Sequence, residues 1–310
     1  MIELIKKIFL SSKFKIHNRS VFTKKESKKK ILIEFNHWNN HHISNSYMAE
    51  ALSRVYNAEK IGILNQSLIN QDLSYNFIKK IKWILGIIFS IKNFGIYKSF
   101  GVNKFVRPFI THEIKKKTQK IINKKFYKIS SLRSLERFRI DGILIGDLIY
   151  DSFLKHYKLP TIDLNSKIFR KYFYESILLY HFWKKYFKDN NISAVVVNHG
   201  VYLCALPARI ACQNKINSFV VNNSKIFRLS NKNFYVSSEQ KYFNEIKKNL
   251  SKKNIDMGII EAKRRINLRL RGKVGVDMPY SSKSAFRKSI TIKKNIIKKN
   301  KKLKILVAAH

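Results

Sequence analysis

Acidic residues are scarce in this chain. Asp and Glu number 19 against 63 Lys and Arg, leaving a formal charge of +44 over 310 residues. A charge of that size ordinarily points to nucleic acid or to an anionic membrane surface. Lys, Ile and Asn are over-used together, however, and they share A/T-rich codons, so the charge is read first as a solvated lysine surface. Attraction to an anionic membrane surface comes second. Nucleic acid comes last, because the aromatic residues follow helical core stripes and form no stacking platform.

Cysteine is almost missing as well. Cys204 and Cys212 are the only two, and eight residues of helix separate them by about 12 Å, beyond disulfide reach. They read as reduced core residues of a cytosolic protein. No run approaches the ~20 apolar residues of a membrane-spanning helix. The strongest, Trp83-Ile-Leu-Gly-Ile-Ile-Phe-Ser-Ile91, is short and flanked by Lys79, Lys80, Lys82 and Lys92. It suits either an interfacial helix or a core helix with a lysine rim. At the N-terminus, Lys6 and Lys7 break the apolar stretch and no small-residue cleavage site follows, which argues against a signal peptide. Also absent are a Walker loop, a Gly-x-Gly-x-x-Gly turn, a Gly-x-Ser-x-Gly elbow and any zinc-spaced Cys/His set.

What is present is a core, with 45% hydrophobic and 13% aromatic residues. Two segments share one design, an apolar strand ending in small and polar residues: Asp141-Gly-Ile-Leu-Ile-Gly-Asp-Leu-Ile-Tyr-Asp151 and Ser193-Ala-Val-Val-Val-Asn-His-Gly-Val-Tyr202. Runs of this kind suit central parallel strands buried on both faces. Strands at 30–35 and 61–64, joined by a helix from about Ser46 to Asn57 with Ser46 as N-cap, form a βαβ unit. Phe169, Tyr172, Phe173, Ile177, Tyr180, Trp183 and Phe187 make the stripe of a helix packed on a sheet. Ala194–Val197, a helix carrying Pro207 in its first turn, and Ser218–Val221 form a second βαβ unit. The expected class is α/β, a Rossmann-like parallel sheet with flanking helices and a helical insertion.

The expected organisation is a basic, weakly structured arm over 1–29 and a Rossmann-like domain over 30–238, with the helical insertion at about 66–140. A helical interdomain connection spans 239–300. The last residues, 301–310, read as the first strand of a second α/β domain, so the chain is read as a fragment.

In open α/β sheets ligands bind outside the carboxyl ends of the strands. Gly146, Asp147, Tyr150 and Asp151, with Asn198, His199, Gly200 and Tyr202, are therefore the expected site. His199 is a candidate general base, since a histidine titrates near neutrality. Asp147 is a candidate base or hydroxyl ligand, and Asp151 a helix cap. The strand-end loop Asn36–Ser44 offers His37 and Asn39 as substrate contacts. His37, His41 and His42 tempt a metal reading, because His37 and His41 lie four apart, but apart from Glu34 in the strand no acidic or thiol ligand is near, and no metal is assigned. Arg209 suits a local salt bridge or an anionic ligand.

These residues carry a resemblance. Gly146-Asp147-Leu-Ile-Tyr150-Asp151, Pro160-Thr-Ile-Asp163, and His199-Gly-Val-Tyr202 with Pro207-Ala-Arg209-Ile-Ala211 resemble bacterial capsule and surface-polysaccharide biosynthesis proteins of GT-B glycosyltransferase type. Gly275-Val-Asp-Met-Pro-Tyr280, Lys283-Ser-Ala-Phe286 and Ile305-Leu-Val-Ala-Ala-His310 extend it. The resemblance implies two Rossmann-like domains across a cleft, with this chain the acceptor side. It also implies transfer of a sugar from an activated donor, a nucleotide sugar, to a glycan or lipid-linked acceptor. No bound metal or other cofactor is implied; helix N-termini and basic side chains stabilise the leaving phosphate. His199 or Asp147 is then the base, and the protein works at the cytoplasmic face of the membrane. The rival readings are a non-catalytic accessory protein of the same pathway and a nucleic-acid binder.

Overall fold

The computed structural model describes residues 2–36, 39–64, 77–221, 226–231, 233 and 247–273. The chain divides into two compact units, Met1–Ser237 and Ser238–His310. In the first, helix α1 (Ile2–Val21) leads to β1 (Lys29–Glu34), α2 (Asn39–Tyr56) and β2 (Glu59–Ile63). Then come α3 (Phe77–Ile88), α4 (Asn93–Ser99), β3 (Val102–Val106), α5 (His112–Lys125) and α6 (Leu132–Glu136). A hairpin, β4 (Arg139–Ile140) and β5 (Ile143–Leu144), precedes α7 (Gly146–Tyr157) and α8 (Lys167–Asp189). The unit continues through β6 (Asn191–Val197), α9 (Leu206–Gln213), β7 (Asn217–Val221) and β8 (Ile226–Leu229). In the second unit, α10 (Lys252–Leu270) has no buried residue.

Six strands form one sheet in the order β3-β2-β1-β6-β7-β8. All pairs are parallel except β7 with β8. This is the doubly wound α/β order, with the chain winding outward in both directions from β1 and β6. Ile31, Leu32 and Ile33 of β1 and Ala194–Val197 of β6 are fully buried, in the register Ile31↔Ala194, Leu32↔Val195, Ile33↔Val196. Residues of alternate parity face opposite sides of the sheet. Ile31, Ile33, Ala194 and Val196 pack with Ala49 and Leu52 of α2 and with Ile96 and Tyr97 of α4. Helices α8 and α9 pack against β6. The expected stripe of α8, Phe169 through Phe187, is buried throughout, and Ser166 caps this helix by accepting from Phe169 N at 3.2 Å.

Several local expectations change. The arm at 1–29 is helical to Val21, held by tertiary contact: Asn18, fully buried, donates to Ser99 Oγ of α4 at 2.9 Å. The polar stretch after β1 is already helix from Asn39, so Ser46 lies inside α2 and donates to the Ile43 carbonyl. The insertion contains an edge strand, β3, beside its helices. The 141–151 segment does not enter the main sheet. Asp141 and Gly142, both at positive φ (51° and 79°), turn β4 back onto β5 in a separate antiparallel pair, as an Asp-Gly hairpin turn does. The expected strand at 301–310 lies outside the described residues.

His181 on α8 lines a cleft of about 720 Å³ between α5, α8 and α9. Its Nε2 is buried without a hydrogen-bond partner among the described residues, and burial pushes its pKa down to about 4. The unfolded chain takes up this proton near the ordinary histidine value of 6.5, whereas the folded chain refuses it until about pH 4. Stability is therefore lost as pH falls across that window. Between about pH 7.5 and about pH 5, His181→Gln is expected to lose on the order of 1 kcal/mol less unfolding free energy than the parent, since solvent in the cleft screens part of the effect. Urea titrations at both pH values check this, and equal losses would show that His181 protonates normally in the fold.

Candidate functional site

The strand order reverses between β1 and β6, so their carboxyl ends border the crevice where such sheets bind ligands. The floor of that crevice is a buried polar network. Asn198, the first residue beyond β6, donates its backbone N–H to Glu34 Oε2 at 2.7 Å. Its side chain accepts from Asn36 Nδ2 at 2.6 Å and donates to Asn45 Oδ1 at 3.1 Å and to the Val221 carbonyl at 2.9 Å. Tyr97 donates to the Glu34 carbonyl at 2.6 Å, and Asn45 in turn donates to the Tyr97 oxygen at 3.1 Å. Burial raises the Tyr97 pKa and keeps it a neutral donor. Every bond in this set joins elements distant in sequence, and buried polar groups so satisfied fix one arrangement of the strand ends.

On that floor stands His199. It is accessible to solvent, yet the protein packed around it lowers its pKa below the ordinary value, and the charges of Lys155 and His41 add to the effect. His199 is thus neutral and reachable near pH 7, the state a general base requires. His41 of α2 lies across the crevice, its ring centroid 6.1 Å from that of His199. Burial lowers the His41 pKa too, and its Nδ1 has no hydrogen-bond partner among the described residues.

The turn after His199 is strained. Tyr202 sits at φ 61°, ψ 174°, a region used almost only by glycine and costing a bulky residue on the order of 1–3 kcal/mol. The strain presents the Tyr202 ring to Lys155 of α7, whose Nζ lies 4.0 Å from the ring centroid. Ser152, one turn earlier on α7, accepts from Leu203 N at 2.7 Å and ties that helix to the turn. His199, His41, Lys155 and Tyr202 therefore converge on one crevice.

The other expected site residues are placed differently. Asn198 is buried and saturated, so it supports His199 and does not contact a ligand. Asp147 forms a bidentate pair with Arg209, both N···O distances being 2.6 Å, and Arg209 also donates to the Leu144 carbonyl at 2.8 Å. Two parallel charge-assisted bonds occupy both carboxylate oxygens. Asp147 and Arg209 thus clamp α7 to α9, which removes them as base and anion ligand. Gly146 is buried where the α6 backbone crosses α7. Asp151 is exposed one turn along α7 from that clamp, and its charge helps burial to raise the Tyr202 pKa. Tyr150 is half-buried on the same helix, and Gly200 is buried in the turn. His37 lies outside the described residues, and Asn39 opens α2. Among the described residues no group of His, Cys, Asp or Glu is arranged to hold a metal. Lys155 and Ser152 were missed in the sequence because nothing local marks them; they reach the site only through the packing of α7.

No family model matches the chain, and no curated protein matches it. Among solved structures, a CDPS from Fluoribacter dumoffii is similar at 12% identity and a TM-score of 0.35, over 63% of this chain and 85% of that one.

Proposed function

We propose that this chain is the acceptor-side domain of a GT-B-type glycosyltransferase of surface-polysaccharide synthesis. In this reading it positions a hydroxyl of a glycan or lipid-linked acceptor for attack on an activated sugar. The observation that supports it is a neutral, accessible His199 at the carboxyl end of β6, with a second histidine facing it. His199 takes the proton as the acceptor oxygen attacks. Lys155 lies beside it, and its positive charge disfavours a proton resting on His199 before reaction. The sugar donor, a nucleotide sugar, binds mainly through the second domain that the resemblance implies.

The test is sugar transfer from a panel of labelled nucleotide sugars to lipid and glycan acceptors extracted from the source membranes. His199→Ala is expected to lower transfer by about 10²–10⁴-fold, the usual contribution of a positioned base. The exposed control Lys120→Gln on α5 is expected to stay within about threefold, as surface changes away from the chemistry do. The parent's rate should fall as pH drops through a value below 6.5, the direction set by the lowered His199 pKa. Transfer unchanged in His199→Ala would favour a non-catalytic accessory protein.

A further inference from the structure

Helix α3 is apolar on two opposite sides. One side is used by the fold. Trp83 packs edge-on against Phe35 and Phe94, at 5.7 and 5.0 Å between ring centroids, and the Phe94 ring lies so close to Gly86 that a Cβ there would sit 2.6 Å from it. Among the described residues the other side is left uncovered. Ile78, Ile81, Leu85 and Ile88 recur at three- and four-residue spacing, with Ile84 beside them and Phe89 just beyond the helix, and all six are exposed. Ile78, Ile88 and Phe89 keep 62%, 61% and 69% of their surface in water. A contiguous exposed apolar face marks an interaction site.

Charge identifies what covers it. No Asp or Glu occurs between Asp72 and Glu113, while Lys79, Lys80, Lys82, Lys92, Lys98, Lys104 and Arg107 all fall in that interval. Lys82 and Lys92, at and beyond the helix, are exposed. A second copy of this chain would bring the same positive charge to the face and be repelled. An anionic bilayer offers the complement, an apolar layer beneath a negative surface. No helix among the described residues is long and apolar enough to cross a membrane, so the match is to lying in the interface.

We propose that α3 is an interfacial anchor that seats Ile78, Ile81, Ile84, Leu85, Ile88 and Phe89 in the surface of an anionic bilayer, with Lys82 and Lys92 at the headgroups. This docking does not depend on the transferase reading. It does bear on it, because Trp83 packs on Phe35, the residue after β1, at the carboxyl end of the sheet where His199 also lies. An acceptor with a lipid end would then meet the crevice from the surface that holds it.

The experiment is co-sedimentation of the full chain with vesicles of phosphatidylcholine alone or mixed with phosphatidylglycerol. Binding is expected to the mixed vesicles, weakening as salt screens the lysines. Leu85→Glu/Ile88→Glu/Phe89→Glu is expected to lose at least about tenfold in partitioning. These side chains are exposed, so far-UV circular dichroism and melting should be unchanged. Lys82→Glu/Lys92→Glu, which leaves the apolar face intact, should also weaken binding to mixed vesicles. Ile259→Glu/Ile260→Glu on α10 serves as the control and should bind like the parent. Equal binding by the triple variant would overturn the proposal. So would equal binding to neutral vesicles, or a vesicle-free dimer that the triple variant dissociates.

Discussion

Gly146→Ala is expected to destabilise the first unit by roughly 4 kcal/mol or more, near the upper end for single substitutions. A Cβ at Gly146 would lie 1.7 Å from the Leu135 carbonyl oxygen and 2.8 Å from Phe138 N. Both are backbone atoms, so no side chain can rotate aside. The whole α6 connection must move, and with it the bonds from Ile145 N and Gly146 N to the Phe138 carbonyl, each 3.1 Å. Alanine otherwise favours a helix over glycine by about 0.5–1 kcal/mol, which the clash far exceeds. A melting temperature lower by on the order of 10 °C is the readout. Gly258→Ala is the counterpart: nothing lies within 4 Å of a Cβ there, so it should be neutral or slightly stabilising. If Gly146→Ala melts within a degree or two of the parent, the crossing of α6 and α7 is wrong.

Removing the Asp147 carboxylate should cost nearly as much. The Arg209 side chain is 1% exposed and that of Asp147 16%, so Asp147→Leu strands a guanidinium where water cannot reach it. Breaking such a pair from one side costs about 3–5 kcal/mol. Arg209→Met should cost less, because the partly exposed carboxylate can recover some hydration. The double variant Asp147→Leu/Arg209→Met should be more stable than Asp147→Leu alone, since two apolar groups leave no orphaned charge. Urea unfolding of the four proteins closes the cycle. A stable Asp147→Leu protein that had lost sugar transfer would return Asp147 to the chemistry.

These two sites also show what the sequence could and could not disclose. Strands β1, β2, β6 and β7 were legible because a continuous aliphatic run has few other places to go. So was the α8 stripe, a long period of 3.6 residues. The run Ile143-Leu-Ile145 has the same appearance, but it is short, and the Asp141-Gly142 turn before it folds it back on Arg139 and Ile140. That turn signal was available and outweighs the apolar run. Strand β3 was hidden by its length and its edge position, and α1 by its dependence on a contact with α4. Within the site, His199 and Tyr202 followed from their place after β6. The pairing of Asp147 with Arg209 did not, because a clamp and a catalytic carboxylate look alike until the partner's burial is known. His41 stood out only as part of the histidine cluster after β1, and Lys155 was not separable from any other Lys, since helix packing alone brings it to the crevice.

The position of β1 at the centre of the sheet has a cost in time. Its neighbour on one side, β2, is made almost at once, but Asn36 meets Asn198 across 162 residues of chain. At the usual 5–20 residues per second, a ribosome needs on the order of ten to thirty seconds to supply β6. Throughout that interval the apolar edge of Ile31, Leu32 and Ile33 has no permanent neighbour, and an open edge of this kind recruits other strands. Yield of the protein in a cell should therefore depend less on its final stability than on whatever shields this edge while translation proceeds.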